Sequence, residues 1–165
     1  MSEDRRIVFL RHAKSDWDSS SKSDHERKLA DRGKRDASAM GKYLTAIGCV
    51  PDYILCSTAV RAVKTCKRAA KAGKWKAPIE LSESLYVPTP EAVWQAIQNV
   101  PETCSTLLII GHEPTWSQMV RQLTGANAAM TTAAAACVAV GAQNWSQVEP
   151  GCGLLQWLVT PKQLA

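Results

Sequence analysis

The sequence predicts an α/β fold, a three-layer α/β/α sandwich built around a mostly parallel sheet. Short apolar runs at residues 7–10, 53–56, 79–81 and 106–110 alternate with longer stretches whose apolar residues recur every three or four positions. Strands that alternate with helices give a parallel sheet covered on both faces. The last two apolar runs, 136–140 and 154–159, have only turn residues between them and are expected to pair as a hairpin. No linker-like segment or internal repeat interrupts the 165 residues, so one domain spanning 1–165 is expected.

Each element has its own signal. Ile7-Val8-Phe9-Leu10 reads as a buried strand that runs straight into Arg11-His12. Residues 16–28 are polar and serine-rich without a period, a loop longer than a plain connector needs. Ala37, Met40, Leu44 and Ile47 form one helical stripe, with Gly48 as a stop. Tyr53-Ile54-Leu55-Cys56 is the second strand, and Ser57 or Thr58 is placed to cap the helix after it. That helix carries Ala59, Ala62, Val63, Cys66 and Ala70 on one face and ends at Gly73. Ile79-Glu80-Leu81 is a weak third strand. Thr89-Pro90-Glu91 is a strong helix start: a cap, a proline in the first turn and an acid near the positive end of the dipole. Residues 106–110 form the clearest buried strand and end in Gly111-His112. Trp116, Met119, Val120 and Leu123 then repeat at helical spacing, so Trp116 is expected in the core.

Composition is that of an ordinary globular chain, 45% hydrophobic and 21% charged. The net charge of +5 is unevenly placed. Ten of the twenty Lys and Arg lie in residues 1–36, and seven more lie between Arg61 and Lys76 with no acid among them. This distribution suits an anionic partner. Six cysteines show no CxxC pair, and Met1 to Arg6 lacks the apolar core of a signal peptide. Reduced thiols in a cytoplasmic protein are expected. The alanine-rich stretch 133–142 is too short to span a bilayer, so no membrane association is expected.

In a parallel sheet the carboxyl ends of the strands share one edge, where ligands bind. The first strand delivers Arg11 and His12 there, the second Ser57 and Arg61, the third Glu83, and the fourth Gly111 and His112. Two guanidiniums suit a phosphoryl group, and the second helix adds its positive end. A neutral imidazole can attack phosphorus, while a second histidine, if protonated, stabilises the equatorial oxygens. A carboxylate can serve the leaving group and then water. No metal or cofactor is required if Arg11, Arg61 and His112 supply the charge.

Arg11-His12-Ala13 resembles the Arg-His-Gly motif of the histidine phosphatase superfamily, which includes phosphoglycerate mutases. Ser57 to Thr65 is similar to its Ser-x-x-x-Arg-Ala-x-x-Thr helix start, and Gly111-His112 to its second histidine. Arg27-Lys28-Leu29-Ala30-Asp31-Arg32-Gly33 resembles the Arg-Pro-Leu-Thr-x-x-Gly segment of the short SixA-type phosphohistidine phosphatases. The resemblance implies a phosphoglycerate mutase-like sandwich. It implies His12 as the phosphorylated nucleophile, a phosphate pocket of Arg11, Arg61 and His112, and Glu83 where many members keep a proton donor. Ser15, Arg27 and Ser57 are added as substrate contacts. Ala13 departs from the motif glycine. Asp18 stands where mutase-like members often have a phosphate-binding Asn, a role that a carboxylate does not fit.

The expected activity is hydrolysis of phosphohistidine on a protein, such as a phosphorelay or phosphocarrier domain, by a monomeric phosphatase. A small phosphoester is the alternative substrate. A mutase is disfavoured, because no insertion precedes His112 to hold a bisphosphate. Other readings are weaker. Cys56 and Arg61 are one residue too close for a cysteine-dependent phosphatase loop, no paired zinc-ligand spacing occurs, and Gly151-Cys152-Gly153 reads as a turn. A nucleic-acid-binding module would rest on the basic 61–76 stretch, which carries no aromatic before Trp75. His25 is expected in solvent, and Trp17 at the border of the pocket.

Overall fold

The computed structural model describes residues 4–18 and 23–165. Residues 1–3 of the leader reading and 19–22 of the predicted polar loop lie outside the described residues. The strands are β1 (Arg5–Arg11), β2 (Tyr53–Ser57), β3 (Ile79–Ser82), β4 (Thr106–Gly111), β5 (Ala135–Val140) and β6 (Gly153–Val159). The helices are α1 (Asp31–Ala46), α2 (Val60–Gly73), α3 (Pro90–Gln98), α4 (Thr115–Thr124) and a short α5 (Pro161–Leu164).

The six strands form one sheet in the order β3-β2-β4-β1-β5-β6. The first four run parallel, with Ile7 opposite Leu107 and Ile54 opposite Leu108. β5 runs antiparallel to β1, and β6 antiparallel to β5, which gives the expected hairpin. The fold is therefore the expected mostly parallel α/β/α sandwich.

Both faces of the central strands are apolar, and alternation sends neighbours to opposite layers. Ile7, Phe9, Leu107 and Ile109 pack with Val93 and Ile97 of α3 and with Trp116, Met119, Val120 and Leu123 of α4. Val8, Leu10, Leu108 and Ile110 pack with Met40 and Leu44 of α1 and with Ala62, Cys66 and Ala69 of α2. Phe9 meets Trp116 edge-to-face at 5.8 Å and 80°, worth about 1 kcal/mol beyond the area buried. Thr89 caps α3 as expected, accepting the Ala92 amide at 3.2 Å.

Two expectations change, and the weak third strand is accounted for. Ile47 ends α1 and is 40% exposed, so it drops out of the stripe. The N-cap of α2 is Ala59, which makes no side-chain cap bond; Ser57 Oγ instead accepts the Ala59 amide. β3 is an edge strand whose Ile79 and Leu81 are exposed, which explains why its apolar run is short.

Two close approaches set the geometry near the carboxyl edge. A Cβ on Gly33 would lie 2.1 Å from the Lys14 carbonyl oxygen, so only glycine lets the start of α1 sit against the segment after His12. A Cβ on Gly111 would come within 2.6 Å of the Trp116 ring. Glycine there lets the indole slide under the end of β4, where its N–H donates to the Ile109 carbonyl at 3.1 Å.

Candidate active site

β4 forms last of the four parallel strands along the chain, yet it lies between β1 and β2. The two strands that end in histidine are therefore direct neighbours, and the strand that ends at Ser57 flanks them. The His12 amide donates to the Gly111 carbonyl at 3.0 Å, which carries the β1–β4 ladder one residue past the strand. The Ala13 amide donates to Thr65 Oγ1 at 2.9 Å, and Thr65 Oγ1 donates to the Arg61 carbonyl at 2.7 Å. Thr65, fully buried, thus ties the helix that carries Arg61 to the segment that carries His12.

These connections close a cavity of about 480 Å³ lined by Arg11, His12, Asp24, Arg27, Arg61, Tyr86 and His112, with residues 87–88, 113–115 and Gln118 completing the wall. The two imidazole centroids lie 5.2 Å apart. His12 Nδ1 is 2.8 Å from the Ala13 carbonyl oxygen, which can only accept, so the ring proton sits on Nδ1 and Nε2 keeps a free lone pair. His112 Nε2 is 2.8 Å from Ser57 Oγ. The Ala59 amide donates to that oxygen at 3.2 Å, and the second lone pair and the proton of the hydroxyl let Ser57 meet His112 Nε2 as acceptor or as donor.

Burial holds both histidines neutral. His12 is pushed down to about 3, chiefly by desolvation, and the nearby His112, Arg61 and Arg11 act the same way. His112 is pushed down to about 4, again by burial first and by Arg61 next. The expected protonated second histidine is therefore neutral while no anion is bound. Arg11 donates to the Met130 carbonyl at 3.0 Å. Arg61 donates to the Asp24 carbonyl at 2.8 Å and to Asp24 Oδ2 at 3.1 Å. The Nε groups of Arg11 and Arg61 are buried and have no hydrogen-bond partner among the described residues.

The arrangement brings together Arg11, His12, Arg27, Arg61 and His112 on one cavity wall. Three sequence-derived residues stand elsewhere. Glu83 is exposed and outside the lining, because the connection after β3 reaches the cavity only from Tyr86 onward. What this connection delivers instead is Tyr86. Ser57 is fully buried beneath His112 and orients it rather than facing the cavity. Ser15 is buried, bridges to Leu29, and accepts from Arg27 Nε at 3.0 Å, so it acts through that arginine. Cys56 is buried and its thiol is pushed well up by its Cys66 neighbour and by burial, which rules against a thiolate nucleophile.

The residues the sequence did not reveal are Asp24, Tyr86 and His25. Asp24 accepts from Arg27 at 2.7 Å, from Arg61, and from the Tyr86 hydroxyl at 2.6 Å. His25, expected in solvent, is half-buried, bonded to Thr58 Oγ1 at 3.0 Å and packed against Tyr86 at 4.7 Å. An aspartate three residues before Arg27 is the only sequence signal for Asp24. Trp17, expected at the border of the pocket, is not among its lining residues; it is 71% exposed, and its ring lies 3.5 Å from the guanidinium carbon of Arg27, which is.

A second, larger hollow of about 680 Å³ lies between α1 and α2. Lys28, Lys34, Lys64, Lys67, Arg68 and Lys71 face it, against Asp16 and Asp31, and no histidine is among its lining residues. Its size does not make it the reactive site, because it lacks a nucleophile and most of its cations are exposed.

Comparison with known proteins agrees with this geometry. Residues 7–86 match the histidine phosphatase superfamily, branch 1. An uncharacterized protein of Mycobacterium tuberculosis is 36% identical over 93% of this chain and 100% of its own length. A protein of Arabidopsis thaliana is 31% identical over 95% of this chain and 78% of its own. A SixA chain from Nakamurella multipartitia superposes with a TM-score of 0.84 at 26% identity, covering 96% of both chains. The protein histidine phosphatase SixA complexed with tungstate gives the same TM-score at 22% identity, covering 97% of this chain and 99% of its own.

Proposed function

This chain belongs to the histidine phosphatase superfamily, and from that premise we propose that it removes a phosphoryl group from a protein histidine through a covalent phosphohistidine on His12. The observation that carries the reading is the meeting of a neutral, Nδ1-protonated imidazole with three guanidiniums and a second imidazole around one cavity.

His12 Nε2 attacks phosphorus as the P–N bond to the substrate imidazole breaks. That electron pair goes to the leaving nitrogen, and the substrate ring departs neutral if its other nitrogen carries a proton. This is why the absence of Glu83 from the cavity is no obstacle: such a leaving group asks little of an enzymic acid. Arg11, Arg27, Arg61 and the His112 N–H hold the phosphoryl oxygens, and each donor of this kind is worth about 10²–10³ in rate. Water then attacks the phosphohistidine. The P–N bond breaks toward His12 Nε2, both water protons leave with the phosphate as H₂PO₄⁻, and His12 returns to its neutral form.

The partner reading draws on the hollow between α1 and α2. Arg27 lines the catalytic cavity, and its neighbour Lys28 faces the hollow. Along α2, Lys64, Arg68 and Lys71 follow Arg61 within about 80° around the helix axis. The cations thus run away from the pocket for about 15 Å along α2, a length that suits an acidic protein surface better than a small ester.

Rapid quench with radiolabelled phosphohistidine protein tests the reading. An acid-labile, alkali-stable label on the enzyme, absent in His12→Ala, is expected; a label that persists in the variant overturns it. Equal kcat/KM for a small phosphomonoester and for the phosphoprotein would assign the small-molecule substrate instead.

A further inference from the structure

We infer that Asp24 is an exchangeable internal counter-ion of the phosphoryl pocket, which holds Arg27 and Arg61 while no substrate is bound and surrenders them when a phosphoryl group enters. The inference deepens the phosphatase reading above and rests on it.

The donor set argues first. The two oxygens of one carboxylate collect an N–H of Arg27 at 2.7 Å, an N–H of Arg61 at 3.1 Å and the Tyr86 hydroxyl at 2.6 Å. All four residues line the cavity that also holds His12 and His112. Planar guanidiniums offered to two oxygens of one anion are the arrangement that recognises a phosphoryl group. Asp24 is ionised at neutral pH, its carboxyl held at about 2 by the Tyr86 hydroxyl and the two arginines. The pocket therefore carries its own anion, bonded to the groups a substrate anion needs.

Burial then decides which partner moves. The Asp24 side chain is 52% exposed, whereas Arg61 is 7% and Arg27 10% exposed. The arginines are pinned by further bonds: Arg27 Nε to Ser15 Oγ, with its guanidinium stacked on Trp17, and Arg61 to the Asp24 carbonyl. Asp24 can turn its carboxylate into water with little change in burial, and the guanidiniums stay where they are. A phosphoryl group brings more charge and a third oxygen, so it wins the exchange.

The exchange does two things. It keeps the arginines ordered and paired between turnovers, so that less side-chain entropy is lost on binding. It also places a competitor beside the product, which weakens retention of inorganic phosphate after hydrolysis.

The test is direct binding of tungstate and of inorganic phosphate to the full chain, by calorimetry at fixed ionic strength. Asp24→Asn keeps the size and one acceptor but removes the charge. The expected result is a dissociation constant for both oxyanions at least tenfold lower than in the wild type, with product inhibition strengthened by the same factor. An unchanged or higher constant overturns the inference and assigns Asp24 a purely structural part. A crystal structure of the wild type with tungstate gives a readout that does not depend on the variant folding. Asp24 Oδ atoms more than 4 Å from both guanidiniums are expected, and atoms that keep their bonds overturn the inference. If the wild type binds neither oxyanion, the phosphatase reading itself falls, and the counter-ion with it.

Discussion

Helix α2 contributes to two cationic hollows in this molecule, and they differ in how far their charges are withdrawn from water. In the catalytic cavity Arg61, His12 and His112 are each less than a tenth exposed. In the hollow between α1 and α2, Lys28, Lys64, Lys67, Arg68 and Lys71 are exposed. The same sign of charge therefore obeys different physics. Withdrawn groups pay desolvation and become directional, and the two histidines titrate well below their ordinary value. Solvated lysines act over distance and are screened within about 8 Å at physiological salt. Chemistry belongs to the first region and recruitment to the second.

The largest expected effect breaks the chemical half of this comparison. His12→Ala should lower kcat by about 10⁴-fold or more, read by steady-state turnover, because the covalent route is lost with the nucleophile. Arg61→Ala comes next, with a loss of about 10²–10³ in kcat/KM for any phosphoryl substrate. The third sharpens the recruitment half. Lys64→Glu combined with Lys71→Glu should raise KM for a phosphoprotein about tenfold, and more at low salt, while turnover of a small aryl phosphate stays constant. An equal loss on both substrates would move the hollow into the chemical region.

The fourth concerns the price of burial. Both histidines have folded values, about 3 and about 4, below the ordinary 6.5. The unfolded chain therefore binds more protons than the folded one between those values and 6.5. Stability is unaffected by these groups above about pH 7 and falls as pH drops through that window, by about 2 kcal/mol per histidine at pH 5. His112→Asn should flatten the fall of Tm between pH 7 and pH 5 relative to the wild type, measured by calorimetry. The smallest effect is packing: Gly111→Ala should cost about 1–3 kcal/mol in urea unfolding, as the new methyl displaces the Trp116 ring.

Much of this was legible in the residues. Arg11, His12 and His112 stand directly after apolar runs, and Arg61 lies about one turn beyond the end of the second strand, so the parallel-sheet rule brings them to one edge. The lateral order of strands is another matter. Nothing local in Thr106–Gly111 says that it inserts between β1 and β2, and that insertion decides who meets whom. Glu83 has the sequence signal of a strand-end carboxylate, but the turn after β3 sends Glu83 into solvent and brings Tyr86 to the cavity, which no local pattern specifies. Asp24 and His25 sit in a polar stretch without periodicity, where side chains are fixed by distant partners on α2 and by Tyr86. Ser57 has the expected neighbourhood but another direction, because whether a residue at a strand end faces a ligand or props up a neighbour depends on its hydrogen-bond partner, here the His112 ring.

The Trp17–Arg27 stack has a practical consequence. The other tryptophans are buried or half-buried, and Trp17 alone is strongly exposed with a guanidinium on its face. Its emission and its access to a soluble quencher should change whenever Arg27 changes partner, which gives the protein a native optical reporter for oxyanion arrival without any added dye.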